Sequence, residues 1–254
     1  QKTVRWHKVA NIYLLRHGKV SGEAALYGKT DVEVLPEINE QIAKQFTALN
    51  LNIDAVVTSP LIRCASLAQL IGNHLQRPVS MMAQLKEMDF GLYDGIAFDR
   101  LHQDKGIWQQ LERFWQNPVQ HPLPNAELLT GFSYRVINAW QAMIADVTKP
   151  AVVGEQSADN ILLVCHGGVI RMILAHLLNI DFRNPLWYTH LSIANASLTS
   201  IEINHQQARV KQIAKPLLTA TNEHNQPTND KGSQREFPYN LLEQSQTDYL
   251  RELN

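Results

Sequence analysis

The chain has 254 residues, of which 44% are hydrophobic, and 23 Lys and Arg against 24 Asp and Glu leave a net charge of −1. That is apolar material for one large domain, or one domain with an inserted cap, and a near-neutral chain without a basic cluster gives no support to nucleic-acid binding. No apolar run approaches the ~18 residues of a membrane span, the stretch Gln1–Ala10 is polar and carries no secretory signal, and the two cysteines, Cys64 and Cys165, fall inside predicted elements, so free thiols in a reducing, cytoplasmic compartment are expected.

The run Asn11–Leu15 is short, apolar and β-prone and reads as a buried strand. Glu37–Leu49 carries Ile38, Ile42, Phe46 and Leu49 at helical spacing, and Asp54–Thr58 reads as a second buried strand. A helix then runs to about Leu75, with Ser59 expected as its N-cap and Pro60 at its first position. Pro78–Met82 reads as a further strand, Phe132–Val147 as an amphipathic helix through Val136, Trp140, Met143 and Ile144, and Ile161–Cys165 as a strongly buried strand. Val169–Leu178 is a helix apolar nearly all round, and Ser197–Ile203 alternates as the last strand. Buried strands alternating with helices predict an α/β fold, a three-layer sandwich with a mostly parallel central sheet and helices on both faces. Gly95–Leu129 breaks the alternation and reads as a cap inserted over one end of the sheet. Lys215–Asn240 is rich in Asn, Gln, Thr and Pro and reads as a loose tail, with a short helix at Leu241–Leu253. The expected organisation is thus a domain over 1–214, with the cap at about 95–129, and a polar tail over 215–254.

Chemistry-bearing residues gather where strands end. The first strand stops at Arg16-His17-Gly18 and the later one at His166-Gly167-Gly168. In open α/β sheets ligands bind beyond the carboxyl ends of the strands, and glycine there allows a tight turn and close backbone approach. A helix begins after Gly168, so free backbone N–H groups face the same edge, and Arg63 lies near the start of its own helix. Two arginines, two histidines and helix N-termini converging on one spot form a dianion site, and phosphate fits the arginine fork best. A neutral imidazole can attack phosphorus, and a second histidine, expected protonated, can stabilise the transition state. A carboxyl beside a phosphate dianion is pushed toward its protonated form, which suits a proton donor; Glu87, Asp89 and Asp94 are the candidates.

"LLRHGKV", "VVTSPLIRCASLAQLI", "LKEMDFGLYDGI" and "LLVCHGGVIRMIL" resemble, in order and spacing, the motifs of the histidine phosphatase superfamily, also called phosphoglycerate mutase-like. The resemblance runs from about Ile12 to Leu178, and with the last strand to about Ile203. It implies the phosphoglycerate mutase-like fold, a covalent phosphohistidine, and neither metal nor cofactor. His17 matches the family nucleophile, Arg16, Arg63 and His166 match its phosphate pocket together with Gly18 and Gly167, and Glu87 matches its proton donor ahead of Asp89 and Asp94. Two departures stand out. Many members carry an asparagine six residues after the nucleophile where this chain has Glu23, with Ser21 a possible substitute, and the usual Gly-Glu-Ser is replaced by Asn125-Ala126-Glu127, which leaves Glu127 a weak contact. "ALYGKTD" looks most like the α-ribazole phosphatase branch, which implies a small-molecule phosphomonoester from cobalamin assembly.

Other features have plainer readings. His7, His74, His102, His121, His176, His190, His205 and His224 lack zinc-ligand spacing, although His190 lies near Asn195 and so toward the site. Trp108, Phe114 and Trp115 read first as the core of the cap and second as a cover for a flat leaving group, and Lys19 and Lys29 read as solvated. Three functions compete: a phosphomonoester hydrolase, a phosphoglycerate mutase-type phosphoryl transferase, and a catalytically silent phosphate-binding module.

Overall fold

The computed structural model describes residues 4–5, 9–145, 151–152, 160–204 and 207–218. A two-residue strand, β1 (Val4–Arg5), precedes β2 (Val9–Arg16), the run that ends in Arg16. Then come α1 (Pro36–Thr47), β3 (Ala55–Thr58), α2 (Ile62–Leu75) and β4 (Val79–Met81). The cap holds α3 (Phe98–Leu101) and α4 (Lys105–Gln116), after which α5 (Leu129–Ala145) returns the chain to the sheet. The two-residue β5 (Ala151–Val152), β6 (Asn160–Cys165), α6 (Gly167–Leu177), α7 (Leu186–Thr189), β7 (Ser197–Asn204) and β8 (Gln207–Pro216) complete it.

The main sheet has the order β4-β3-β6-β2-β7-β8, and β1 pairs with β5 apart from it. β4, β3, β6 and β2 run parallel, while β7 and β8 are antiparallel additions at one side. Strand residues alternate between two cores, as a period of two requires. Ile12, Leu14, Val57, Leu163 and Cys165 face α5, α6 and the cap, whereas Leu15, Val56, Leu162 and Val164 face α1 and α2. Both faces of the sheet are therefore covered, which is why its central strands read as continuous apolar runs.

Three features differ from the sequence expectations. β7 is not the last strand: β8 follows it, an edge strand whose residues alternate between exposed and half-buried, so no apolar run announces it. Residue 214, the expected end of the domain, lies inside β8, and Leu217 beyond it is buried, its N–H on the Ala196 carbonyl at 3.0 Å. The rest of the expected tail, including Leu241–Leu253, lies outside the described residues, as do His7, His205 and His224. Ser59 is not the N-cap of α2; the cap position is Leu61 and makes no side-chain cap bond. The helix starts three residues past Ser59, whose Oγ accepts from Leu61 N at 3.4 Å, and the free N–H of Ile62 is met instead by Asp31 Oδ1 at 2.8 Å, from 31 residues earlier.

Within the cap, Asp104 caps α4 with bonds to Gly106 N and Ile107 N. Trp108 and Trp115 pack edge-on against each other and against Phe98, and His102 lies against Trp108. Phe114 is buried and meets Phe90. These aromatics are the core of the cap, the first of the two readings above.

Candidate active site

β2 and β6 are adjacent and in parallel register, with Arg16 opposite Cys165, so His17 and His166 leave the sheet side by side. The His17 N–H donates to the Cys165 carbonyl at 3.1 Å, and the two imidazole rings stand 5.3 Å apart at 65°. Both histidines are buried. His17 Nδ1 lies 2.7 Å from the Gly18 carbonyl. A carbonyl only accepts, so Nδ1 carries the hydrogen and Nε2 keeps a free lone pair. Burial, with the charges of Arg16 and Arg63 behind it, holds His17 well below the ordinary value of 6.5, against a small opposing pull from Gly18. The ring is neutral at pH 7, the state a nucleophile needs.

His166 is arranged in the opposite tautomer. Its Nδ1 accepts from Arg63 Nε at 3.3 Å, which leaves Nε2–H to donate to Ser59 Oγ at 2.8 Å. The expectation of a protonated His166 is not met: burial first, then His17, Arg63 and Arg16, push it well below 6.5. His166 is a neutral N–H donor, and positive charge at the site rests on the arginines. Cys64 Sγ touches the same ring at 3.5 Å from Nε2. Both cysteines are free and buried, and burial raises both thiols.

Arg16 donates from Nη1 to the Ile193 carbonyl. A Cβ at Gly167 would stand 3.4 Å from the Arg16 guanidinium, in ordinary contact, so that group lies beside the start of α6. Gly18 is tight for a different reason: a Cβ there would press at 2.9 Å on Ile42 and Val34. Arg63 is wholly buried and does more than line a pocket. Its guanidinium donates to the carbonyls of Thr30 at 3.0 Å and of Tyr27 and Gly28 at 2.8 Å, besides its bond to His166. It braces the 27–30 loop against the second histidine.

Of the three candidate carboxylates, the structure brings Glu87 to the histidine edge. Its Oε2 accepts the Gly168 N–H at 3.0 Å, at the start of α6, and Oε1 accepts its own neighbour Met88 N at 3.1 Å. A Cβ on Gly168 would collide with Glu87 Oε1. Asp89 is drawn into an exposed pair with Lys29 at 3.1 Å and accepts from Gly91 N. Asp94 is consumed by the backbone: it accepts from Gly28 N, Lys29 N and Phe90 N on one oxygen and from Thr30 N on the other. It ties the 28–30 loop to the loop that carries Glu87.

Glu127 does not face the histidines. It pairs with Arg135 at 2.6 and 2.8 Å. Arg135 in turn donates to the carbonyls of Gln84, Lys86 and Glu87 at 2.6, 2.7 and 3.0 Å, and so fixes the backbone that presents Glu87. Ser21 Oγ donates to the Glu33 carbonyl, and the backbone carbonyl of Glu23 accepts from Tyr27 OH, both bonds within the loop's own turns. His190 is exposed and bonds Thr189. Asn195 reaches the backbone beside His17: its Nδ2 donates to the His17 and Gly18 carbonyls at 3.1 and 3.2 Å. Neither Arg135 nor Asn195 had a sequence signal beyond type, since both act on carbonyls distant in the chain. Among the described residues no group of three or more His, Cys, Asp and Glu is placed to hold a metal.

Residues 12–216 match the histidine phosphatase superfamily, branch 1. The chain belongs to that superfamily. Among its relatives is "Putative phosphoserine phosphatase 2" of Hydrogenobacter thermophilus, 28% identical over 216 residues that cover 80% of this chain and 95% of that one. Another is "Adenosylcobalamin/alpha-ribazole phosphatase" of Escherichia coli, 29% identical over 206 residues, 79% of this chain and 93% of that one. The solved structure of Bacillus stearothermophilus YhfR superposes with a TM-score of 0.69 at 21% identity, covering 81% of this chain and 96% of that one. This last likeness speaks for the fold, and the histidine phosphatase fold is the α/β architecture described above. Among the described residues no helix is long and apolar enough to cross a membrane.

Proposed function

We propose that this histidine phosphatase hydrolyses a small phosphomonoester through a phosphohistidine on His17, without a metal. The observation that carries the reading is the state of His17: neutral, buried, with Nδ1 tied to Gly18 and Nε2 left as the lone-pair atom beside His166. Arg16, the Gly18 and Gly167 turns and the start of α6 hold the phosphate dianion, His166 turns its Nε2–H from Ser59 Oγ to the phosphate as it binds, and the Arg63 charge adds attraction from behind. The lone pair on His17 Nε2 forms the P–N bond as the ester P–O bond breaks, and the leaving oxygen takes the proton of the Glu87 carboxyl. Glu87, now a carboxylate, removes a proton from water as that water attacks phosphorus. The P–N bond breaks, its electrons return to Nε2, and inorganic phosphate leaves with Glu87 protonated again. Glu87 at the α6 start is one carboxyl that can serve both steps. α-Ribazole 5′-phosphate heads the substrate choice because "ALYGKTD" resembles that branch and the Escherichia coli relative bears that name.

Two measurements test this. Acid-labile, base-stable phosphate should appear on the wild-type protein during turnover of an aryl phosphate, and His17→Ala should show neither phosphate nor turnover. A His17→Ala protein that keeps most of its activity overturns the covalent mechanism. A kcat/KM panel of α-ribazole phosphate, phosphoserine, mononucleotides, 3-phosphoglycerate and fructose bisphosphate tests the substrate. A ranking led by the phosphoglycerate or the bisphosphate would reject the assignment.

A further inference from the structure

We infer that Asn195 is a positioning residue that sets the tautomer of the nucleophile. The inference rests on His17 being that nucleophile. For Nε2 to attack, the His17 hydrogen must sit on Nδ1, and among the described residues the group that holds it there is the Gly18 carbonyl at 2.7 Å. That carbonyl belongs to a turn beyond the end of β2, where no strand ladder orients it. Asn195 orients it. The carboxamide nitrogen spends one hydrogen on the Gly18 carbonyl at 3.2 Å and the other on the His17 carbonyl at 3.1 Å, which fixes two successive peptide planes. The Ala196 N–H adds a second bond to the His17 carbonyl at 3.1 Å, with Ala196 in a left-handed conformation at φ 53° that turns the chain into β7.

The segment that carries Asn195 is itself held from the phosphate side. Arg16 donates to the Ile193 carbonyl, and Arg171, a buried residue one turn into α6, donates to the Leu191 carbonyl at 2.9 Å. Asn195 is thus a fixed donor on a braced loop, and a side chain acting through Gly18 on His17 rather than on substrate. Without it the Gly18 carbonyl can rotate, the Nδ1–H bond is lost, and part of the protein carries the hydrogen on Nε2, where no lone pair remains for attack.

The test separates position from stability and from the function itself. Asn195→Leu keeps the shape and removes both donors; Asn195→Ala is the second variant. In whichever retains the native near-ultraviolet spectrum, nitrogen NMR of His17 should show a mixture of tautomers in place of the single Nδ1–H form of the wild type. The rate of phosphoenzyme formation from an aryl phosphate should fall about 10- to 100-fold, with KM little changed because the phosphate ligands are untouched. In the wild type, the Asn195 carboxamide hydrogens should be protected from exchange. An unchanged tautomer in a folded variant, or a freely exchanging carboxamide in the wild type, overturns the inference. If the wild-type protein forms no phosphoenzyme, the proposed function fails while the NMR arm still decides the role of Asn195.

Discussion

Glu87 is separated from its rivals by what each carboxylate already holds. Asp94 is saturated by four backbone N–H groups and Asp89 is paired with Lys29, whereas Glu87 accepts only one backbone N–H on each oxygen, from Met88 and from Gly168 at the start of α6. Glu87→Gln keeps the shape and cannot donate a proton, so hydrolysis of an alkyl phosphate should slow about 10²–10⁴-fold, and that of an activated aryl phosphate far less. Equal slowing of both would make Glu87 positional. Gly168→Ala should give the same leaving-group dependence by another route, because the added methyl collides with Glu87 Oε1; an unaltered ratio of alkyl to aryl rates would show that the carboxyl can move aside without loss. The two histidines also carry a pH signature. Both are held neutral in the folded protein well below 6.5, the value they regain on unfolding. Above about pH 6.5 both states are neutral and the histidines contribute nothing. Below it the unfolded chain binds protons that the folded one refuses, so stability falls with pH by up to about 1.4 kcal/mol per pH unit for each. Urea unfolding between pH 7 and pH 5 should therefore show a steeper loss in the wild type than in His17→Gln. Parallel curves would mean that His17 protonates freely in the fold.

At the scale of elements, loops are tied to helix starts by side chains rather than by ladders. α2 has the N–H of Ile62 met by Asp31, α6 has Gly168 N met by Glu87, and the 27–30 loop is clasped between the Arg63 guanidinium and the Asp94 carboxylate. A Cβ on Gly28 would collide with the Met88 carbonyl and with Asp94, so the two loops meet backbone to backbone there. Asp94→Ala leaves several of these N–H groups without a charged acceptor and should lower stability by roughly 2–4 kcal/mol, read as a lower urea midpoint, with a parallel loss of turnover because the carbonyls that brace Arg63 shift. An unchanged midpoint would mean that water replaces the carboxylate. The helices themselves were legible from apolar spacing: Ile42 and Phe46 in α1, Leu67 and Ile71 in α2, and Val136 and Trp140 in α5 are the buried positions their periodicity marks. β8 was not, since an edge strand exposed along much of its length needs no apolar run.

Over the whole molecule, the site draws charge from arginine and from backbone N–H groups, so dialysis against a strong chelator should leave turnover unchanged; activity lost on dialysis and restored by a divalent metal would replace the metal-free mechanism. The sequence by itself determined the α/β layering and the convergence of His17 and His166. Both follow from local signals: continuous apolar runs for strands covered on both faces, and a histidine followed by glycine where each run stops. Tertiary structure decided how the surrounding polar groups are spent. Ser59 turns from capping α2 to accept from His166, Arg63 turns to loop carbonyls, Asp94 becomes a loop tie, and Arg135 and Asn195 fix the backbones of Glu87 and His17. The partners in these bonds lie between 33 and 178 residues apart, apart from the bond of Asp94 to its neighbour Phe90. A donor or acceptor that distant leaves no periodicity in the chain, and a buried polar group takes whichever partner the packed fold brings within reach.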